Sequence, residues 1–376
     1  MNKNKSGFRL KFSLYILAVL TSIIAFISCE DRSDSVFDDL SFNIVDSMYV
    51  DGVYDLEYLD KDGDNAKFLF YSLKQKLIFL LDRKTKEAIK IPFPGQATSI
   101  SGYSFKSACY FNTDDKESIV IWTDKGYHFY DGEGNLLRNV DFKTSNSHPT
   151  SVFFKVTYIN NELIAIQRHG REYLKDGTLS KEKSKFIQTY NFENDETNLY
   201  KGFKDDNPTL ASADFLLKAS FEENKFIHIL LSPDNTISTY SIQDRFELVK
   251  STKMDIPDYS PSYQLRANIE EQVIQPNIYK LLSDAQFFYI IYKPFIDPGS
   301  TGIKFNNGMI DPKSYDLVDL YLYKYDRLSG ESNSIKLPKL LLGFTAKMEV
   351  DLFLVKPSSY IHESEKGNVF YIVDLE

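Results

Sequence analysis

Aromatic and aliphatic segments of strand length recur in sets along this chain, with polar turns between them and a spacing near 50 residues. The first set runs Lys67 to Tyr71, Leu77 to Asp82 and Ala88 to Ile91. The second runs Ile119 to Trp122, Tyr127 to Asp131 and Leu136 to Val140. A third holds Leu163 to Gln167, Phe186 to Phe192 and Leu199 to Phe203, and a fourth Phe226 to Leu231, Ile237 to Ile242 and Phe246 to Lys250. A fifth holds Phe287 to Tyr292, Leu320 to Asp326 and Ser334 to Leu337, and the last set stops at Val369 to Asp374. The closing marks fall at Asp82, Asp131, Asn191, Ile242, Asp326 and Asp374. Units of ~40–50 residues with several strands each are the signature of propeller blades.

Six marks predict an all-β, six-bladed β-propeller. The sixth unit lacks outer strands, and Ser41 to Val45 is a strand with no unit of its own. That strand is expected to complete the last blade and close the ring, which removes a bare sheet edge. A β-sandwich pair is the alternative. The aromatics, 29 Phe and 25 Tyr against one Trp, fall mainly in alternating runs such as Phe287 to Tyr292, as strands require. Helical periodicity is confined to Arg266 to Leu282, where Pro276 interrupts a short expected helix.

Ahead of the repeats stand Lys3, Lys5, Arg9 and Lys11, then the apolar run Phe12 to Ile27, then Ser28-Cys29. As a helix the run reaches ~24 Å, short of the ~30 Å hydrocarbon core. It therefore reads as a secretory leader rather than a span, with an ordinary signal anchor as the alternative. Phe26-Ile27-Ser28-Cys29 resembles the lipobox of bacterial lipoproteins, with Phe26 where Leu is commoner. The resemblance implies cleavage before Cys29 and acylation of its thiol. Several acyl chains, at ~0.8 kcal/mol per buried CH₂, hold a protein on a membrane. The expected organisation is a signal peptide over 1–28, an acidic tether over 29–40 and a propeller over 41–376. Glu30, Asp31 and Asp34 argue against retention in the inner membrane. They resemble the surface-export tether of some Gram-negative lipoproteins and equally fit a solvated linker.

Losing the four leader cations takes the formal charge from −9 to −13. An acidic chain without a basic stripe is not built for nucleic acid. With Cys29 acylated, Cys109 has no partner for a disulfide, and its setting Ser107 to Phe111 predicts a buried, inert thiol.

The Phe70-Tyr71-Ser72 step into Leu77 to Asp82, the lipobox and the repeat over about 41–376 together resemble the six-bladed β-propeller lipoproteins of unknown function from anaerobic Gram-negative bacteria. That resemblance implies a lipid-anchored outer-membrane protein, periplasmic or surface-exposed. It supplies no catalytic residues.

In a blade of strands A to D, the B–C and D–A connections share one rim of the ring, and the A–B and C–D turns share the other. The long insertions, 168–185, 204–214, 254–279 and 293–319, are all of the first kind. Binding residues favour long loops on a rigid scaffold, so that rim is the expected partner face. Its candidate residues are Arg168, His169 and Arg171 in the locally basic third-blade loop, and Asp297, Asn306, Asn307 and Asp311 in the fifth. Asp60 to Asn65 has the start of a calcium loop, but Asn65 stands in place of the glycine and Tyr71 in place of the closing glutamate, so a solvated turn is expected. The five histidines lack metal-ligand spacing. Gly299-Ser300-Thr301-Gly302 is no nucleophile elbow. No metal and no cofactor is expected.

The sequence thus points to a binding or scaffold protein for a protein, peptide or glycan outside the cytoplasm. A carbohydrate-active enzyme with acids in the propeller channel is the alternative, and an accessory of an outer-membrane complex is a third reading. Acids with aromatics at the channel mouth would favour the enzyme. A channel plugged by Phe, Tyr and Leu would favour the binding protein.

Overall fold

The computed structural model describes residues 41–376 except 93–104, 142–154, 167–185, 201–216, 260–275, 297–300, 358–366 and gaps of one to three residues in turns. After β1 (Phe42–Asp51), the first blade is β2 (Leu56–Lys61), β3 (Lys67–Ser72), β4 (Leu77–Asp82) and β5 (Ala88–Pro92). The second is β6 (Phe105–Thr113), β7 (Lys116–Thr123), β8 (Gly126–Asp131) and β9 (Leu136–Asp141). The third is β10 (Val156–Ile159), β11 (Glu162–Ile166), β12 (Ile187–Asn191) and β13 (Glu196–Tyr200). The fourth is β14 (Leu217–Glu222), β15 (Phe226–Leu231), β16 (Thr236–Ser241) and β17 (Glu247–Lys253). The fifth starts with β18 (Asn277–Ser283) and β19 (Phe287–Lys293). A small hairpin, β20 (Phe305–Asn306) and β21 (Met309–Ile310), precedes its outer strands β22 (Tyr321–Asp326) and β23 (Ser332–Lys336). The sixth is β24 (Gly343–Glu349), β25 (Leu352–Lys356) and β26 (Gly367–Leu375), with β1 as its fourth strand. Every pairing is antiparallel, and the whole is a six-bladed β-propeller.

Closure is explicit. β1 pairs with β26 from Phe42↔Leu375 to Asp51↔Gly367, with one bulge between Ile44 and Asp46. The chain's N-terminal strand thus serves as the outer strand of its C-terminal blade. Outside this ring unit, the backbones of Ser41 and Glu376 exchange hydrogen bonds of 2.7 and 3.1 Å.

Each blade is buried on both faces, which is why its middle strands read as unbroken apolar runs. Phe68 and Phe70 of β3 pack toward the sixth blade with Met48, Met348 and Phe370. Their alternating neighbours Leu69 and Tyr71 pack toward the second blade with Ala108, Ile119 and Ile121. Phe70 meets Phe370 at 4.4 Å between ring centroids. The same division separates Ile119 and Ile121 from Val120 and Trp122 in β7. Fully burying one such side chain contributes ~1.5–3 kcal/mol. Outer strands face water: β9 is exposed along most of its length.

The polar marks are the C–D turns. Asp82 Oδ1 accepts the amides of Lys84 (2.8 Å) and Thr85 (2.9 Å), and Asp131 Oδ1 those of Glu133 (3.0 Å) and Asn135 (2.8 Å). Asn191 and Asp326 do the same for Glu193 and Leu328. A short polar side chain that caps two amides is what this turn needs. In the fourth blade that residue is Ser241, whose Oγ accepts the Asp244 amide (3.2 Å), so the mark lies one residue before Ile242.

The expected helix fails where it can be checked. Asn277 to Ser283 is a strand, because it is the inner partner of β19 and Pro276 ends just before it. Residues 266–275 lie outside the described residues.

Cys109 has no exposed surface, on the second–third blade seam beside Trp122 and Tyr190. Burial pushes its thiol well above the ordinary value. A thiol reagent is therefore expected to leave native protein unlabelled and to react at one site in denaturant. Rapid native labelling, read by mass spectrometry, would contradict that packing.

Candidate functional site

The inner strands β2, β6, β10, β14, β18 and β24 enclose a channel of about 1460 Å³ with lining residues from all six blades. It is open rather than plugged. Its rim carries the A–B turns, at Gly63, Asn65, Asn161, Asn224, Asp284 and Glu349. The described strand ends that lead into the B–C and D–A connections are on the other rim.

Inner strands have one side on the channel, where Asp60, Lys218 and Lys280 stand within them. Four of the six, β2, β6, β18 and β24, also carry bulges, which re-aim side chains. Acids and aromatics do converge there: Asp60, Asp62, Glu222, Asp284 and Glu349 with Tyr58, Tyr110 and Phe221. Most of these carboxylates are committed to protein donors. Asp62 Oδ1 accepts the Ala66 amide at 2.7 Å. The Asp60–Asn65 segment leads through the expected turn between strands, with Gly63 and Asp64 exposed, while Asp62 and Asn65 are buried at 7% and 9% exposure against the channel wall. Asp284 pairs with Lys347 Nζ at 2.6 Å and accepts two backbone amides.

Glu222 joins the fourth and fifth blades. Its Oε2 lies 2.6 Å from His228 Nε2 and also accepts Arg327 Nη1. His228 Nδ1 is 3.0 Å from Thr239 Oγ1. The network assigns a neutral imidazole that donates from Nε2 and accepts the threonine hydroxyl at Nδ1. Burial lowers the His228 value, against the pull of Glu222. Arg327 also stacks 4.8 Å over Phe288.

Asp60 differs from the other acids. It accepts the Tyr110 amide at 3.0 Å, yet burial pushes its carboxyl up to about 6 against that bond and the nearby lysines.

The cations form the second half of the lining: Lys61, Lys155, Lys218, Lys225, Lys280 and Lys347. Lys61 donates to Met348 O at 2.8 Å and to Asn65, and burial, then repulsion from Lys155, brings it down to about 8. Lys280 is likewise lowered to about 8, by burial and then by Lys155 and Lys218. A lysine at about 8 is still roughly nine-tenths charged at pH 7. Among the described residues, neither the Lys155 nor the Lys280 ammonium has a hydrogen bond or an ion pair. Lys155 has a ring contact, 5.9 Å over Phe221. No group of three His, Cys, Asp or Glu among the described residues is placed to hold a metal ion.

Of the residues singled out from the sequence, Cys29, Arg168, His169, Arg171, Asp297 and Asn307 lie outside the described residues. Asn306 ends β20, and Asp311 follows β21, its amide bonded to Lys304 O at 2.8 Å. Asp311 does not line the channel. The channel lysines went unread because each is one cation in a short mixed segment. The signal is their register. Lys218 pairs with Leu230 and Lys280 with Ile291, and the Lys155 carbonyl accepts the Ile166 amide at 3.1 Å. Each partner is the fourth residue beyond the start of its second strand, Phe226, Phe287 or Glu162.

No protein-family model matches the chain, and no curated protein matches it. Among solved structures it is similar to a Bacteroides fragilis protein predicted to be exported (TM-score 0.49, 12% identity, 92% of this chain and 97% of that one). It is also similar to a streptogramin B lyase (TM-score 0.46, 10% identity, 90% and 98%). A third is the PQQ-bound form of an aldose sugar dehydrogenase from Streptomyces coelicolor (TM-score 0.46, 10% identity, 90% and 99%). At these identities the likeness concerns the fold alone.

Proposed function

We propose that this chain is a lipid-anchored binding protein that works outside the cytoplasm and receives its ligand in the central channel. The leader over 1–28 and the lipobox at Cys29 support export and anchoring on the outer membrane through an acidic tether. The observation that carries the binding role is the open channel of about 1460 Å³, which the six inner strands line with charged and polar side chains. A pocket with convergent polar groups on a rigid ring is built to hold a ligand. The loop residues Arg168, His169, Arg171, Asp297, Asn306, Asn307 and Asp311 are proposed as contacts for a protein or glycan partner on the other rim.

Thr345, at the β24 bulge, lines the channel and is no part of the charged set. A thermal-shift screen of soluble oligosaccharides and small organic acids is expected to find compounds that raise the Tm of the native protein and leave Thr345→Trp unmoved. Equal shifts in both proteins would place the site outside the channel, and a screen without any stabilising compound would contradict the reading. In the membrane fraction, Cys29→Ala is expected to be lost. Retention would make the apolar leader the anchor.

The enzyme reading is supported by the open channel, by the convergence of acids and aromatics in it, and by the Asp60 carboxyl held near 6, where a general acid works. It requires turnover of a bound compound that Asp60→Asn abolishes without loss of binding.

A further inference from the structure

We infer that Lys155, Lys218 and Lys280 form a subsite for a compact multivalent organic anion, one bearing two or more carboxylate or phosphate groups. The inference rests on the channel being the ligand site. The three lysines stand at one register level on the inner strands of three consecutive blades, the third, fourth and fifth. The pseudo-sixfold ring therefore brings them onto one arc of the channel wall. Counted from the residue opposite each closing mark, Lys67, Ser118 and Leu352, the other blades place at the same level Glu57, opposite Tyr71 in the first, Ser107, opposite Trp122 in the second, and Gly343, opposite Lys356 in the sixth. One carboxylate thus shares the level with three ammonium groups. Glu57 is more than half exposed and stands 4.0 Å from Lys356.

Nearby acids do not make up the balance. Glu222, Asp62 and Asp284 are held by the protein donors described above, and Asp60, which pulls on Lys155, is held by the Tyr110 amide. Burial, then repulsion from Lys155 and Lys218, lowers Lys280. The half-buried Lys155 and Lys280 ammonium groups, with neither a hydrogen bond nor an ion pair, are costly unless an anion joins them. Lysine supplies point charges on flexible stems, which suit carboxylate or phosphate oxygens without demanding a planar fork. One monovalent ion would leave the arc under-compensated, and the channel has room for far more.

The test is calorimetric titration of the full-length detergent-solubilised protein at constant ionic strength, with citrate and with inorganic pyrophosphate, and with acetate as the monovalent control. At least one multivalent probe is expected to bind, with acetate at least about tenfold weaker. The stronger of citrate and pyrophosphate tells carboxylate from phosphate. Lys155→Gln and Lys280→Gln are each expected to lower affinity about tenfold or more, Lys280→Arg to retain it, and Lys250→Gln on the exposed outer strand β17 to change nothing. The glutamine variants should raise the Tm of the ligand-free protein, because they relieve repulsion, so a folding defect is not mistaken for lost binding. Absence of binding by both probes, or binding unchanged in both glutamine variants, overturns the subsite. If a neutral compound from the screen still binds in a manner blocked by Thr345→Trp, the channel reading stands while the anion subsite falls. Loss of every compound's Thr345→Trp dependence removes both.

Discussion

Deleting the chain through Val50 is expected to abolish cooperative unfolding, whereas deleting it to Asp39 leaves the ring intact. β1 is the outer strand of the sixth blade and pairs with β26 along its whole length. It inserts Met48 at 1% and Val50 at 3% exposure into the first–sixth blade seam, against Phe70, Phe79 and Phe370. Two such side chains contribute about 3–6 kcal/mol together, a large share of the ~5–15 kcal/mol that a domain has in total. The deletion also bares the edge of β26, which invites pairing with another chain. Urea unfolding followed by tryptophan fluorescence and by circular dichroism should give coincident transitions for the shorter deletion. For the longer one the transitions should separate or the protein aggregate. A monomer that still unfolds in one transition after loss of residues 1–50 would refute closure by β1.

The second large effect is at Glu222. Glu222→Ala removes the acceptor shared by His228, which has no exposed side-chain surface, and Arg327, which has 18%. Breaking a buried pair at one partner costs ~3–5 kcal/mol, because the other charge stays behind. Glu222→Gln keeps one acceptor and should cost less. The pH dependence has a fixed sign. Burial raises the Glu222 carboxyl, but the bonds from His228 and Arg327 outweigh it and hold it below the ordinary value. Its contribution is therefore complete above about pH 4.3 and lost as acid passes through the lower native value. His228, also lowered in the fold, adds an acid-side loss that begins near pH 6.5. Urea titrations at pH 7 and pH 5 should show the wild type weaker at pH 5, with the gap widened in Glu222→Ala, because the pull that holds the His228 value up is gone. A loss below about 1 kcal/mol at pH 7 for Glu222→Ala would contradict the strap between the fourth and fifth blades.

What the sequence made legible follows from where water reaches. Middle strands such as β3, β4 and β19 are buried on both faces and read as long apolar runs, so their repeat could be counted. The C–D turns could be located because Asp82, Asp131, Asn191 and Asp326 do a chemical task that needs a short polar side chain. The inner strands were hidden. Phe105 to Thr113 was visible only as the apolar setting of Cys109, and Asn277 to Ser283 had the look of a helix end, since a strand with one wet side and a bulge at Tyr279 breaks the period of two. The site was hidden for the same reason. Lys155, Lys218 and Lys280 are scattered over more than a hundred residues, and only the strand order brings them to one level. Attention to loop length pointed instead to the opposite rim.

The most direct test of the channel as the working site is lysine acylation in the native membrane. The intact protein is treated with a water-soluble acylating reagent before and after exhaustive washing of the solubilised protein, and the modified residues are quantified by mass spectrometry. If the channel holds a ligand in place, Lys155 and Lys280 should react several-fold faster after washing, with Lys250 unchanged. Equal rates for the channel lysines in both states would contradict the account.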